Sequence, residues 1–181
     1  NLLKKLNYPL AAPSANISTK ISPVSKKDVK DEFGKKLSLI LDGGQSQIGV
    51  ESTIVNLINK PQVLRLGGIP KEQIKKYLNL NVEYKKKSKL KVPGQEKTHY
   101  SPYIKLRLNI KHPEKHEAFM LLKKRKKLSS NYFYLSKNNN LREAAKNLYK
   151  TLRLIKKKKF RSIAVEKIPN KGFGEVINDR L

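Results

Sequence analysis

The chain has 181 residues, 38% of them apolar and 30% charged, which is enough for one or two domains with cores of their own. No apolar run approaches the ~20 residues of a membrane-spanning helix, and the first residues lack the long apolar stretch of a secretory leader. Cysteine is absent and the formal net charge is +27: disulfides and thiolate metal sites are excluded, a cytoplasmic location is expected, and an anionic partner has to be considered.

In chain order, Asn1 to Leu6 reads as the end of a helix already under way, so an N-terminally truncated fragment is expected. Leu10 to Asn16 reads as a short strand edged by prolines. In an extended segment Ser14 and Asn16, two apart, share a face. Ser25 to Phe33 reads as a helix capped by Ser25 and stopped at Gly34. Leu37 to Leu41 is an apolar strand that runs into a glycine-rich loop, Asp42 to Gly49. Thr53 to Ile58 and Gln62 to Leu66 form a hairpin around Asn59-Lys60-Pro61. Its fold-back brings Arg65 to Ser52 and Thr53 at the open end, beside the mouth of the glycine loop. Pro70 to Leu78 is a helix with proline in its first turn.

Residues 85–103, lysine-rich and then holding Pro93-Gly94 and Tyr100-Ser101-Pro102, read as an exposed linker. Beyond it Ile104 to Leu108, Tyr132 to Leu135 and Ser162 to Val165 read as strands. Asn140 followed by Glu143 opens a helix with an apolar stripe through Leu141, Ala144, Ala145, Leu148, Leu152 and Ile155. A last helix starts near Gly172-Phe173-Gly174. Alternating strands and helices predict a small parallel-sheet domain of Rossmann-like type.

Two polar knots carry the functional signal, Pro13-Ser14-Ala15-Asn16 and Gly49-Val50-Glu51-Ser52-Thr53. Each sets small hydrogen-bonding side chains beside an extended segment, where they can line a nucleotide or amino-acid site. The glycine loop lacks the closing Gly-Lys-Ser/Thr of a P-loop. Glu51 suits either a Mg²⁺ ligand or a residue that orders the loop. His112 and His116 have helical metal-pair spacing, but Pro113 and the lack of a third ligand argue against zinc, and no metal site is assigned.

Four strings, Pro9 to Ser18, Ile40 to Gly44, Gly49 to Val55 and Leu64 to Ile69, resemble the YrdC-like threonylcarbamoyl-AMP synthases. Residues Pro93 to Pro102 look like the interdomain linker of the long, two-domain form, and Gly172 to Leu181 like its C-terminal signature. The resemblance implies an α/β fold: the C-terminal part of a YrdC-like twisted α/β domain (1–84), a lid linker (85–103) and a small Rossmann-like accessory domain (104–181). It implies a nucleotidyltransferase that makes threonylcarbamoyl-AMP and pyrophosphate from L-threonine, bicarbonate and ATP with Mg²⁺. A partner enzyme complex then passes the threonylcarbamoyl group to an adenosine in tRNA. Carried over by position, Ser14 and Ser52 contact L-threonine, and Asn16, Val24, Arg65 and His99 contact ATP, with His99 folding over the nucleotide beside Tyr100.

Departures from the family pattern are Val24 in place of threonine, which leaves only a backbone contact there, Leu66 for proline, Gln95 for methionine and Asn56 for aspartate. The family's lysine-x-arginine motif and threonine-bearing first strand have no counterpart, so this polypeptide alone is expected not to make the product. A non-catalytic, basic RNA-binding module of YrdC-like fold is the alternative, with double-stranded RNA as its ligand. Only seven of the 41 cations are arginine, however, and lysine with abundant asparagine and isoleucine is the mark of AT-rich coding rather than of a dedicated phosphate-binding face. A carbamoyltransferase of hydrogenase-maturation type shares the fold but not the Rossmann-like tail or the His-Tyr-Ser-Pro linker.

Overall fold

A computed structural model describes residues 2–85, 92, 104–126 and 129–181. The hairpin forms where the turn residues predict it: β1 (Ile54–Asn56) runs antiparallel to β2 (Gln62–Arg65), with Ile54 opposite Arg65 and Asn56 opposite Gln62. Asn59 takes the positive φ of 62° that the tight connection requires. Helix α1 (Lys26–Phe33) is capped by Ser25, whose hydroxyl accepts from the Asp28 amide at 3.3 Å. Helix α2 (Lys71–Leu78) starts at Pro70 and ends at Asn79 in the left-handed conformation. It serves as the crossover to β3 (Glu83–Tyr84), which pairs parallel to β2 and is too short to show alternation in the sequence.

Two expected strands are corrected. Leu10 to Asn16 and Leu37 to Leu41 are not strands in the structure. Neither joins a ladder among the described residues, and Leu39 and Leu41 are 74% and 64% exposed. Periodicity marks a segment as fit for a sheet, but a strand exists only where a neighbour supplies the hydrogen bonds.

The C-terminal half holds a four-stranded, all-parallel sheet in the order β4 (Lys105–Arg107), β7 (Ser162–Val165), β5 (Ala118–Lys123), β6 (Tyr132–Ser136). The inner strand β5 was missed in the sequence. It is buried on both faces from Ala118 to Leu122, so it reads as a plain apolar run with no alternation to reveal it. Met120 and Leu122 face α3 (Leu141–Lys157), while Phe119 and Leu121 pack on the other face beneath Tyr132 and Tyr134.

Helix α3 is the longest element described. Asn140 caps it, accepting from the Glu143 amide at 3.0 Å, and the expected stripe is inside: Ala144, Ala145, Leu148, Leu152 and Ile155 are all buried. Each large aliphatic side chain so buried contributes about 2 kcal/mol. Tyr149, not foreseen in the stripe, is also fully buried.

Helix α4 (Phe173–Arg180) ties the two halves together. Val176 packs with Val63, Leu66 and Val82 of the small mixed sheet, while Ile177 joins the core under α3. Polar contacts reinforce the seam: Lys71 bonds Glu175 at 2.5 Å, and the Tyr84 hydroxyl donates to Asp179 at 2.7 Å. Burial, and then the bond to Asp179, push the Tyr84 phenol well above its ordinary pKa.

Candidate active site

A cavity of about 560 Å³ opens where the glycine loop meets α1 and the middle of α3 at Tyr149. Ser14, Ser22, Val24, the loop from Gly43 to Gln47, Glu51 and Tyr149 line it. Its walls combine small hydroxyls, the backbone of a glycine loop and one carboxylate with apolar side chains such as Val29, Ile40 and Leu41, a surface suited to a small ligand with polar and apolar parts.

The loop is pinned by its own sequence. The Gly44 amide donates to Asp42 Oδ1 at 3.0 Å and the Gly49 amide to Ser46 Oγ at 3.1 Å, while the Ser46 amide reaches Val24 O at 2.8 Å. Gly49 has φ +79° and lies against α3, where a Cβ would come within 2.3 Å of the Lys146 carbonyl oxygen. No side chain fits there, so glycine is required by both backbone angle and space.

Glu51 is the best-anchored residue of the site. Oε1 accepts from Ser22 Oγ at 2.6 Å, and Oε2 accepts from the Tyr149 hydroxyl at 2.9 Å and from Arg180 Nε at 3.2 Å. Its carbonyl accepts from the Gly68 amide at 2.8 Å. Of the two roles left open for it, ordering the loop fits these contacts. A carboxylate with both oxygens committed to hydroxyl and guanidinium donors does not suit a resident Mg²⁺, and among the described residues no cluster of three acidic or imidazole side chains offers a cage.

The site residues expected from the sequence fall into three groups. Ser14 and Val24 line the cavity. Val24 is buried, its amide donates to Asp28 Oδ2 at 3.0 Å and its carbonyl holds the glycine loop. Ser52 and Arg65 form a clasp next in sequence to Glu51: Arg65 Nε donates to Ser52 O at 3.0 Å and Nη2 to Ser52 Oγ at 2.9 Å. The hairpin alone therefore brings this pair together. Asn16 is not among the residues that line the cavity: its Nδ2 donates to Ile17 O at 3.1 Å and Lys20 O at 3.2 Å, and its Oδ1 is buried with no partner. His99 and most of the 85–103 linker lie outside the described residues.

Sequence reasoning missed Ser22, Tyr149 and Arg180. Ser22 had no motif around it. Tyr149 sits in the α3 periodicity among aliphatic neighbours, where nothing marks it as a site residue. The C-terminal string containing Arg180 carries a family resemblance, but nothing local points Arg180 toward a residue 129 positions away.

Comparisons with known proteins agree with this architecture. Residues 69–181 match the family model described as "Threonylcarbamoyl-AMP synthase, C-terminal domain", and residues 1–67 match one described as "Telomere recombination". The chain is 34% identical to threonylcarbamoyl-AMP synthase of Pyrococcus abyssi and 32% identical to that of Bacillus subtilis, each over 99% of its length. It spans 58% of the length of either relative. The Schizosaccharomyces pombe enzyme is 41% identical over 62% of the chain, which corresponds to 30% of that protein. Among solved structures, the crystal structure of Pyrococcus abyssi Sua5 complexed with L-threonine superposes with a TM-score of 0.79 at 32% identity, covering 94% of this chain and 56% of that one. With a family model spanning residues 69–181, which hold the parallel sheet, α3 and α4, and with the fold in agreement, the chain belongs to the threonylcarbamoyl-AMP synthase family.

Proposed function

We propose that this chain forms the threonine- and nucleotide-binding C-terminal part of an enzyme that makes threonylcarbamoyl-AMP and pyrophosphate from L-threonine, bicarbonate and ATP. In this reading residues 1–84 belong to the catalytic domain, 85–103 to a lid over the nucleotide and 104–181 to an accessory domain. The observation that carries it is the cavity in which Ser14 and the glycine loop meet Glu51, with the Ser52–Arg65 clasp adjoining. A solved relative was crystallised with L-threonine, which supports giving the site an amino acid.

The chemistry asks for little from a protein nucleophile. The threonine amine attacks bicarbonate carbon, the C–O bond to the departing hydroxyl breaks and water is lost, giving a carbamate whose anionic oxygen attacks the α-phosphate of ATP. The P–O bond to pyrophosphate breaks, and the leaving group carries away the electron pair. The protein's task is alignment and charge neutralisation. Ser14 and Ser52 hold threonine through their hydroxyls. Arg65, fixed on the end of β2 by two bonds to Ser52, presents a guanidinium to the phosphates. Asn16 and the Val24 backbone contact the nucleotide. His99, with the linker, closes over a mixed anhydride that water would hydrolyse. Mg²⁺ enters with ATP as part of the substrate, and no residue of the chain is assigned to it. The product goes to a tRNA-modifying partner complex, which places the reaction in the cytoplasm.

The family's lysine-x-arginine motif lies ahead of the Ser-Ala-Asn segment, and residues 1–13 hold no Lys-x-Arg triplet. In this reading the 181 residues bind threonine but do not turn over by themselves. Calorimetry tests the first half: threonine binds the wild-type chain, and Ser14→Ala and Ser52→Ala each weaken it by about tenfold, the equivalent of one hydrogen bond to a charged group. Pyrophosphate release dependent on ATP, bicarbonate and threonine tests the second, and robust turnover by the isolated chain refutes it.

A further inference from the structure

We propose that the C-terminal domain is itself part of the substrate site, because Tyr149 and Arg180 clamp Glu51 and so position the wall on which Ser52 and the glycine loop stand. The naming of the ligand rests on the threonine reading above; the clamp does not.

Glu51 accepts from three side chains that are 29, 98 and 129 residues away. Only Ser22 comes from the N-terminal half. Tyr149 is a cavity-lining residue of α3, and its ring is fully buried, so its hydroxyl is aimed by the core rather than by solvent. Arg180 is held at the same time by Leu66 O at 2.5 Å and Asp179 Oδ2 at 2.6 Å, which leaves its guanidinium one orientation. Gly49, two residues before Glu51, rests on the α3 backbone. The segment from Gly49 to Ser52 is therefore held from both halves of the chain, with α3 and α4 of the C-terminal half supplying two of the three side-chain donors to Glu51. Glu51 and Tyr149 act as positioning residues: they set where Ser52 stands, and Arg65 reads that position through Ser52 O and Oγ.

A purely structural seam would behave differently. The Lys71–Glu175 pair joins the same two halves but lines no part of this cavity. It is the built-in control.

The test uses the whole chain, with amide hydrogen exchange and threonine calorimetry on Tyr149→Phe, Glu51→Gln and Lys71→Met. Tyr149→Phe removes one hydroxyl and keeps the buried ring, so folding is preserved. We expect Tyr149→Phe and Glu51→Gln each to speed exchange about tenfold at the Gly49 and Gly68 amides, which donate to Ser46 Oγ and Glu51 O, and to weaken threonine by a similar factor. Exchange in β5 and β7 stays at the wild-type rate, and Lys71→Met moves neither loop exchange nor affinity. Wild-type loop exchange in both site variants overturns the clamp, as does an equal response in Lys71→Met. Faster loop exchange with unchanged threonine affinity overturns its role in the site. A wild-type chain that binds no threonine, yet whose loop loosens in Tyr149→Phe, sinks the substrate reading and leaves the clamp standing.

Discussion

Three alanine substitutions in one loop separate backbone strain from collision. Gly43 has open space around its missing Cβ and a φ outside the left-handed region; Gly44 also has open space but sits at φ +78°; Gly49 combines φ +79° with backbone atoms of Lys146 at 2.3 to 2.7 Å. Gly43→Ala should be neutral or stabilising by up to about 0.5 kcal/mol, because it restricts the unfolded chain without clashing in the folded one. Gly44→Ala should cost about 1 kcal/mol for the left-handed angle alone. Gly49→Ala bears the same angle cost and must also open a gap of about 1 Å to reach ordinary contact. Helix α3 cannot retreat, since Leu148, Leu152 and Ile155 hold its other face in the core. The loop yields instead, losing the Gly49–Ser46 bond and the seating of Glu51 on Tyr149. Each lost bond is worth about 1 kcal/mol, so with the angle cost the total is about 3 kcal/mol. Urea unfolding followed by circular dichroism measures all three. A loss under about 1 kcal/mol for Gly49→Ala, or equal losses at Gly44 and Gly49, would refute the packing of the loop against α3.

Glu117, buried at the start of β5, has its carboxyl held down to about 2 from 4.5, chiefly by the hydrogen bond from Arg107 against an opposing push from burial. Its folded pKa is depressed, so the stability it adds is complete above about 4.5 and is lost as pH falls through about 2; Glu117→Gln should flatten that acid limb in urea titrations at pH 2 to 5, and an unchanged slope counts against the pair. Asn140→Ala removes the cap of α3 and should cost about 1 kcal/mol, with Asn140→Asp restoring it, both read by urea unfolding. Leu148→Ala opens a hole in the fully buried face of α3 and should cost about 3 kcal/mol; a loss under 1 kcal/mol would mean that the helix is not seated on the sheet.

Local chemistry wrote much of this protein into its sequence. The Asn140 cap and the 3.6-residue stripe of α3, the Ser25 start of α1 and the Asn59-Lys60-Pro61 turn are decided within a few residues, so they can be read directly. The Ser52–Arg65 pair belongs with them, because a hairpin makes a 13-residue separation a local one. Tertiary structure decided the rest. Whether Leu37 to Leu41 becomes a strand depends on a neighbour outside its own pattern, and β5 hid because burial on both faces erases alternation. The seating of Glu51 on Tyr149 and Arg180 has no sequence signature at all. Its parts lie about a hundred residues apart, and only the packing of α3 and α4 against the small sheet brings those donors to one carboxylate.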